Sequence, residues 1–293
     1  MTVIGGYLGA GKTTLVNRLL SADHGRRLAV LVNDFGEINV DVELVAAHGA
    51  ETLGLTNGCI CCSIGDSLGA AFDQVLALDP RPDQIVVEAS GVADPTKVAA
   101  YGRGWPGCRL DAVVVLADAQ TIRANAVDPF VGELVIRQLR AADLVLITKT
   151  DMTDDEETGA VLGWVAEAIG SDRAVLCCTR GLVDAGLILD IGVSDGSTEC
   201  DRHPADPMGT SGFDTWVVDL SEPISRADLE RALVEWPARV VRMKGVIGLA
   251  DGSVVVAQRV GQRVSIEPAP PTVTGGKSLV AIAVSETPTP GLP

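Results

Sequence analysis

The stretch Gly6-Tyr7-Leu8-Gly9-Ala10-Gly11-Lys12-Thr13 fits the pattern G-x-x-x-x-G-K-[ST], and it stands between an apolar run, Thr2–Ile4, and a helical one, Lys12–Ser21. Glycines at these places let successive backbone N–H groups turn inward around phosphate oxygens, and the N-terminus of the following helix adds partial positive charge. The pattern assigns Lys12 to the β- and γ-phosphates and Thr13 to Mg²⁺. A loop of this kind needs a buried strand before it and a helix after it, so it commits the chain to an α/β fold.

The next 180 or so residues keep that rhythm. Apolar, β-branched runs at Leu28–Val32, Ile85–Glu88, Ala112–Ala117, Leu144–Thr148 and Ala174–Cys178 have the unbroken character of parallel strands covered on both faces. Helical stretches fall between them at Ser67–Leu78, Thr96–Tyr101, Gly132–Ala141 and Asp154–Ile169. The expectation is a three-layer α/β domain over 1–193 with a mostly parallel sheet. Residues 194–212 are polar, turn-rich and aperiodic, so they read as a linker. A smaller α+β domain is expected over 213–285. Its strands are Thr215–Leu220, Arg239–Leu249, Ser253–Val260, Arg263–Glu267 and Leu279–Val284. Ser225–Glu235 is its helix, with Ser225 as N-cap, and Asp251-Gly252 is a hairpin turn. Residues 286–293 are expected to be a disordered tail.

A net charge of −16 over 293 residues argues against nucleic acid and anionic membrane as general partners. No basic and apolar leader is visible, and no apolar run is long enough to span a bilayer, so a cytoplasmic setting with reduced thiols is expected. Against that background, "NGCICC" (Asn57–Cys62) puts three of seven cysteines into four positions. Bridges between such close neighbours would be strained, which leaves metal binding or redox chemistry.

A second motif follows the strand Leu144–Thr148. Thr148-Lys149-Thr150-Asp151 has the form [N/T]-K-x-D, in which the carboxylate accepts two hydrogen bonds from guanine and the lysine stem packs across the base. Adenine offers no such donor pair. Thr148 stands where Asn is usual. Glu88 closes the strand Ile85–Val87, where a second Mg²⁺-associated carboxylate is expected. Asp34 and Glu37, after another strand end, are candidates for positioning the attacking water.

With these blocks in hand, the chain resembles the CobW-like P-loop GTPases, a family of proposed metal-insertion chaperones. "GGYLGAGKTTLVNRLL", "VNDFGEINVD", "NGCICC", "EASGVADP", "RQLRAADLVLITKTD" and "RMKGVIGLADG" match its blocks in order across both domains. The resemblance implies a GTP-hydrolysing metallochaperone, slow without a partner, that passes a divalent metal to a client metalloprotein. It assigns the phosphates to Gly9, Ala10, Gly11, Lys12, Thr13 and Thr14, and the base to Thr148, Lys149 and Asp151. It implies Zn²⁺ or Co²⁺ at Cys59, Cys61 and Cys62, with Glu37 as fourth ligand, and it puts Ser63 to Asp66 near the nucleotide. Two departures stand out. The linker carries only His203 and Cys200 where relatives often have a histidine-rich run, and Asp118-Ala119 is followed by Gln120-Thr121 without a nearby histidine. Two other classes fit the same residues: a GTP-dependent maturation factor that carries no metal, and a thiol redox sensor.

Overall fold

The computed structural model describes residues 1–22, 24, 26–32, 52–54, 60–170, 173–189, 213–220, 223–237, 239–269 and 275–284, with backbone only at 52–54, 60–67, 213, 215 and 284. The expected linker and tail lie outside the described residues. The chain divides into two compact units, one of Met1–Ser171 with Val175–Leu189, the other made chiefly of residues 190–293.

The first unit is built on strands β1 (Thr2–Gly6), β2 (Leu28–Val32), β3 (Thr52–Gly54), β4 (Gln84–Glu88), β5 (Ala112–Asp118), β6 (Leu144–Thr148) and β7 (Ala174–Cys178). They form one sheet in the order β3-β2-β4-β1-β5-β6-β7. The pairings from β3 through β6 are all parallel. Helices α1 (Lys12–Ser21), α2 (Ile60–Leu76), α3 (Pro95–Gly104), α4 (Ile122–Val127), α5 (Gly132–Ala141), α6 (Asp155–Ile169) and the short α7 (Ala185–Ile188) connect them. Every residue of β1, β2, β4, β5 and β6 is buried, which is why these strands carry no polar alternation.

Local chemistry sets the helix starts. Asp94 caps α3 by accepting the N–H of Thr96, with Pro95 at the first helical position, and Asp154 caps α6 by accepting the N–H of Glu157. Four features differ from the sequence expectation, among them the four-residue α7, too short to carry a periodic signal. Helix α2 begins at Ile60, seven residues before the expected Ser67, so Cys61 and Cys62 lie in its first turn. Strand β3 and helix α4 were not signalled, because three residues and six residues are too short for either period to register.

The second unit has strands β8 (Phe213–Asp219), β9 (Val240–Gly248), β10 (Val254–Val260), β11 (Arg263–Pro268) and β12 (Ser278–Val284), plus helix α8 (Arg226–Glu235). The sheet is antiparallel, ordered β11-β10-β9-β12-β8. Ser225 caps α8 by accepting the N–H of Asp228, and the β9–β10 hairpin turns at Gly252 with φ of 84°. Leu229 and Leu233 of α8 share a core with Met243, Ile247, Val255 and Leu279. Among the described residues, no helix is long and apolar enough to cross a membrane.

The core of the first unit includes one aromatic knot. Phe72 of α2 is fully buried, with ring centroids 6.2 Å from both Tyr101 and Trp105 of the α3 region. Because the chain has few aromatics, these rings carry a large part of the α2–α3 contact. Phe72→Ala should therefore destabilise the first unit by about 3–5 kcal/mol. Urea unfolding followed by circular dichroism measures this, and a loss under about 1 kcal/mol would contradict the packing described.

Candidate functional site

The carboxyl end of β1 delivers the chain into the phosphate loop. Gly9 and Gly11 have φ of 77° and 94°, in the left-handed region that favours glycine. Among the described residues, a Cβ added at either would meet no atom within 4 Å. Gly6 differs: a Cβ there would collide with the carbonyl of Leu116 on β5. Glycine is therefore needed at Gly6 for packing, and at Gly9 and Gly11 for the turn. Helix α1 then starts at Lys12, directly behind the loop.

Lys12 is buried, and its Nζ donates to the carbonyl oxygens of Gly6 at 3.0 Å and Tyr7 at 3.4 Å. The ammonium is thus curled over the loop's own backbone, held at the mouth of the cradle. Thr13 Oγ1 donates to Glu88 Oε1 at 2.9 Å. That contact brings together a hydroxyl and a carboxylate expected at one Mg²⁺. An all-oxygen pair at the end of a buried strand fits this small hard cation, which takes one or two protein oxygens and completes its octahedron with phosphate and water. Thr14 lies on the first turn of α1 beside them.

The base-end residues have distinct places. Thr148 is buried, and its Oγ1 donates to the carbonyl of Ala10 at 2.8 Å, with Ala117 O at 3.4 Å. A single hydroxyl therefore ties the β6 end to the phosphate loop. Lys149 follows with φ of 59°, and its Nζ makes a 2.6 Å ion pair with Asp118 Oδ2 at the end of β5. Asp118 is itself oriented by accepting the N–H of Gln120 at 2.9 Å. Asp151 lies in a short 3₁₀ turn, Thr150–Met152, and its Oδ2 accepts from Arg180 Nε at 3.2 Å.

Asp118 and Arg180 were not singled out as site residues from the sequence. Asp118 carried a usable signal, since it closes an apolar strand just as Glu88 does. Arg180 carried none, because one charged residue after a strand has no pattern of its own.

The metal motif is only partly within reach. Asp34, Glu37 and Cys59 lie outside the described residues, as do the side chains of Cys61, Cys62, Ser63 and Asp66. The backbone still locates the motif. Helix α2, which carries Cys61 and Cys62, follows β3, whose Gly54 registers with Val32 of β2, and Val32 registers with Glu88. The remaining described thiols differ in character: burial pushes Cys108 and Cys177 above the ordinary thiol range and Cys178 up to about 11. They stay protonated near neutral pH and are poor metal ligands or nucleophiles.

Thr148→Val keeps the side-chain volume but removes the donor to Ala10, leaving that carbonyl without its bond at a cost of about 1–3 kcal/mol. Nucleotide affinity should fall about tenfold, whereas Thr148→Ser should stay near the parent. Titration with a fluorescent GDP analogue measures both, and parental affinity in Thr148→Val would contradict the tie.

Comparison with known proteins identifies the family. Residues 1–176 match the model of the CobW/HypB/UreG nucleotide-binding domain, and residues 213–288 match that of the cobalamin synthesis protein CobW C-terminal domain. The zinc chaperone CobW of Sinorhizobium sp is 31% identical over 85% of this chain and 78% of its own. The zinc chaperone YjiA of Escherichia coli is 32% identical over 86% of this chain and 82% of its own. The solved Zn(II)-bound YjiA GTPase from E. coli aligns over 97% of this chain and 93% of that one, at 25% identity and a TM-score of 0.47. Matched over more than half its length by the nucleotide-binding model and again by the C-terminal model, the chain belongs to the CobW family of P-loop nucleotide-binding proteins.

Proposed function

We propose that this protein binds Mg²⁺–GTP along the carboxyl edge of its parallel sheet, hydrolyses it, and uses the nucleotide state to hold and release a divalent metal, Zn²⁺ foremost. The metal is cargo for a client metalloprotein. Cys59, Cys61 and Cys62 are its thiolate ligands and Glu37 its fourth, a soft donor set that suits Zn²⁺ and also admits Co²⁺. The observation that carries this reading is a line of register. Gly54, Val32 and Glu88 are paired across β3, β2 and β4, so the helix bearing Cys61 and Cys62 follows a strand that ends level with the Mg²⁺-side carboxylate.

At the nucleotide, the backbone N–H groups of Gly9 to Thr14 cradle the phosphates, and Lys12 leaves the carbonyls of Gly6 and Tyr7 for the β- and γ-phosphates. Thr13 and Glu88 hold the Mg²⁺, which neutralises charge on the phosphate oxygens when bound. Asp151 accepts the donor edge of guanine, with the Lys149 stem against the base and Thr148 fixing the strand end to the loop. Asp34 or Glu37 orients the attacking water, and Ser63 and Asp66 stand near the nucleotide. The domain limits 1–193, 194–212 and 213–285 belong to the same reading, as does a cytoplasmic setting. The relatives named as zinc chaperones support Zn²⁺ over Co²⁺ as the cargo.

Competition binding in Mg²⁺ should show GTP preferred over ATP, with the preference erased in Asp151→Ala. Cys61→Ser should lose tight Zn²⁺ binding while keeping GTP affinity within about twofold, since thiol and phosphate contacts are separate. Equal affinity of the parent for ATP and GTP would overturn the guanine assignment. Undiminished Zn²⁺ binding in Cys61→Ser would overturn the metal site.

A further inference from the structure

The loop after β7 puts a cation on the carboxylate assigned to the base. Arg180 Nε donates to Asp151 Oδ2 at 3.2 Å, while Asp151 is about one-quarter exposed and Arg180 three-quarters exposed. The loop's backbone is fastened on two sides. Thr179 Oγ1 lies 2.9 Å from Thr150 Oγ1, beside Asp151, and the N–H of Leu182 returns to the carbonyl of Thr179 at 2.9 Å. On the other side, Gly181 sits against α1 with φ of 73°, where an added Cβ would stand 3.2 Å from Thr14 Cγ2 and 3.3 Å from Arg18 Cγ.

Between these anchors Arg180 adopts φ of 53°, one of two non-glycine residues in the left-handed region among those described; Lys149 of the base motif is the other. A residue held in that conformation by its surroundings is a feature of functional loops. The backbone is fixed, and the freedom left to the loop is the swing of an exposed arginine side chain.

The chemistry of the contact suggests what the swing is for. A guanidinium presents planar N–H donors to a carboxylate, and the N1 and N2 edge of guanine presents planar N–H donors to a carboxylate. We propose that Arg180 is an internal stand-in for the guanine edge: it occupies Asp151 in the nucleotide-free protein and must leave before guanine can bind. Its return competes with rebinding of the base, which lowers guanine-nucleotide affinity and favours release. This inference rests on Asp151 as the guanine acceptor.

The test uses N-methylanthraniloyl GDP and ADP with the full chain, its Arg180→Ala and Arg180→Lys variants, and Asp151→Ala. An exposed ion pair contributes up to about 1 kcal/mol, or about fivefold. Arg180→Ala should therefore bind GDP about two- to fivefold tighter than the parent at low salt, with Arg180→Lys between the two. The difference should close at about 1 M salt, where the screening length is about 3 Å. In the Asp151→Ala background, Arg180→Ala should change nothing. If the parent prefers GDP over ADP and Arg180→Ala binds GDP equally or more weakly, the stand-in is overturned and the guanine site stands. A parent that does not distinguish GDP from ADP overturns both.

Discussion

Everything at the site depends on the parallel pairing of β1 with β4 on one side and β5 on the other. Ile4 registers with Glu88, and Gly6 registers with Leu116. Since all three strands run the same way, the phosphate loop leaves the sheet between the carboxylates that close its neighbours, Glu88 and Asp118. The loop sits low in that gap because Gly6 lets β1 lie against the Leu116 carbonyl without a side chain between them. Thr13 then reaches Glu88, and Lys149 reaches Asp118. A slip of one residue in either pairing would reverse the faces of a strand buried on both sides and move a carboxylate out of reach.

The polar groups at this edge satisfy one another across strands. Thr148 accounts for the carbonyl of Ala10, Asp118 for the ammonium of Lys149, and Asp151 for the guanidinium of Arg180. Each bond links segments at least 29 residues apart. These internal partners fix the side chains of the edge relative to one another. In the proposed reading a nucleotide replaces some of these partners (Gly6 and Tyr7 at Lys12, Arg180 at Asp151) and keeps others, notably Thr148 at Ala10. This separates contacts that build the site from contacts that the ligand must displace.

Much of this was legible in the sequence because buried parallel strands write themselves as apolar runs and loops that turn on glycine write themselves as motifs. Glu88 was read from its position at a strand end, and Thr13, Lys149 and Asp151 from motifs with fixed spacing. Thr148 was read as a base-end residue, but a hydroxyl that bonds a carbonyl 138 residues away leaves no local trace. Arg180 was invisible for the same reason: its meaning comes from Asp151, which only the fold brings near. The early start of α2 at Ile60 was missed because the capping-type run in "CICCSIGD", Ser63-Ile64-Gly65-Asp66, points to a start further along the chain.

The proposed function gives a thiol cluster a reason to stand beside a nucleotide site. Three thiolates bind Zn²⁺ too tightly for unaided delivery, and in the proposed cycle the loss of the γ-phosphate on hydrolysis is what loosens them. Coupling between the two sites is therefore the central claim. It is tested most directly by the Zn²⁺ dissociation constant of the protein without nucleotide, with GDP and with a non-hydrolysable GTP analogue, each in Mg²⁺. The account predicts tighter Zn²⁺ binding in the GTP-like state than with GDP, by about 5- to 150-fold, with Zn²⁺ tightening the analogue by the same factor. Dissociation constants that agree within error across all three states would contradict it.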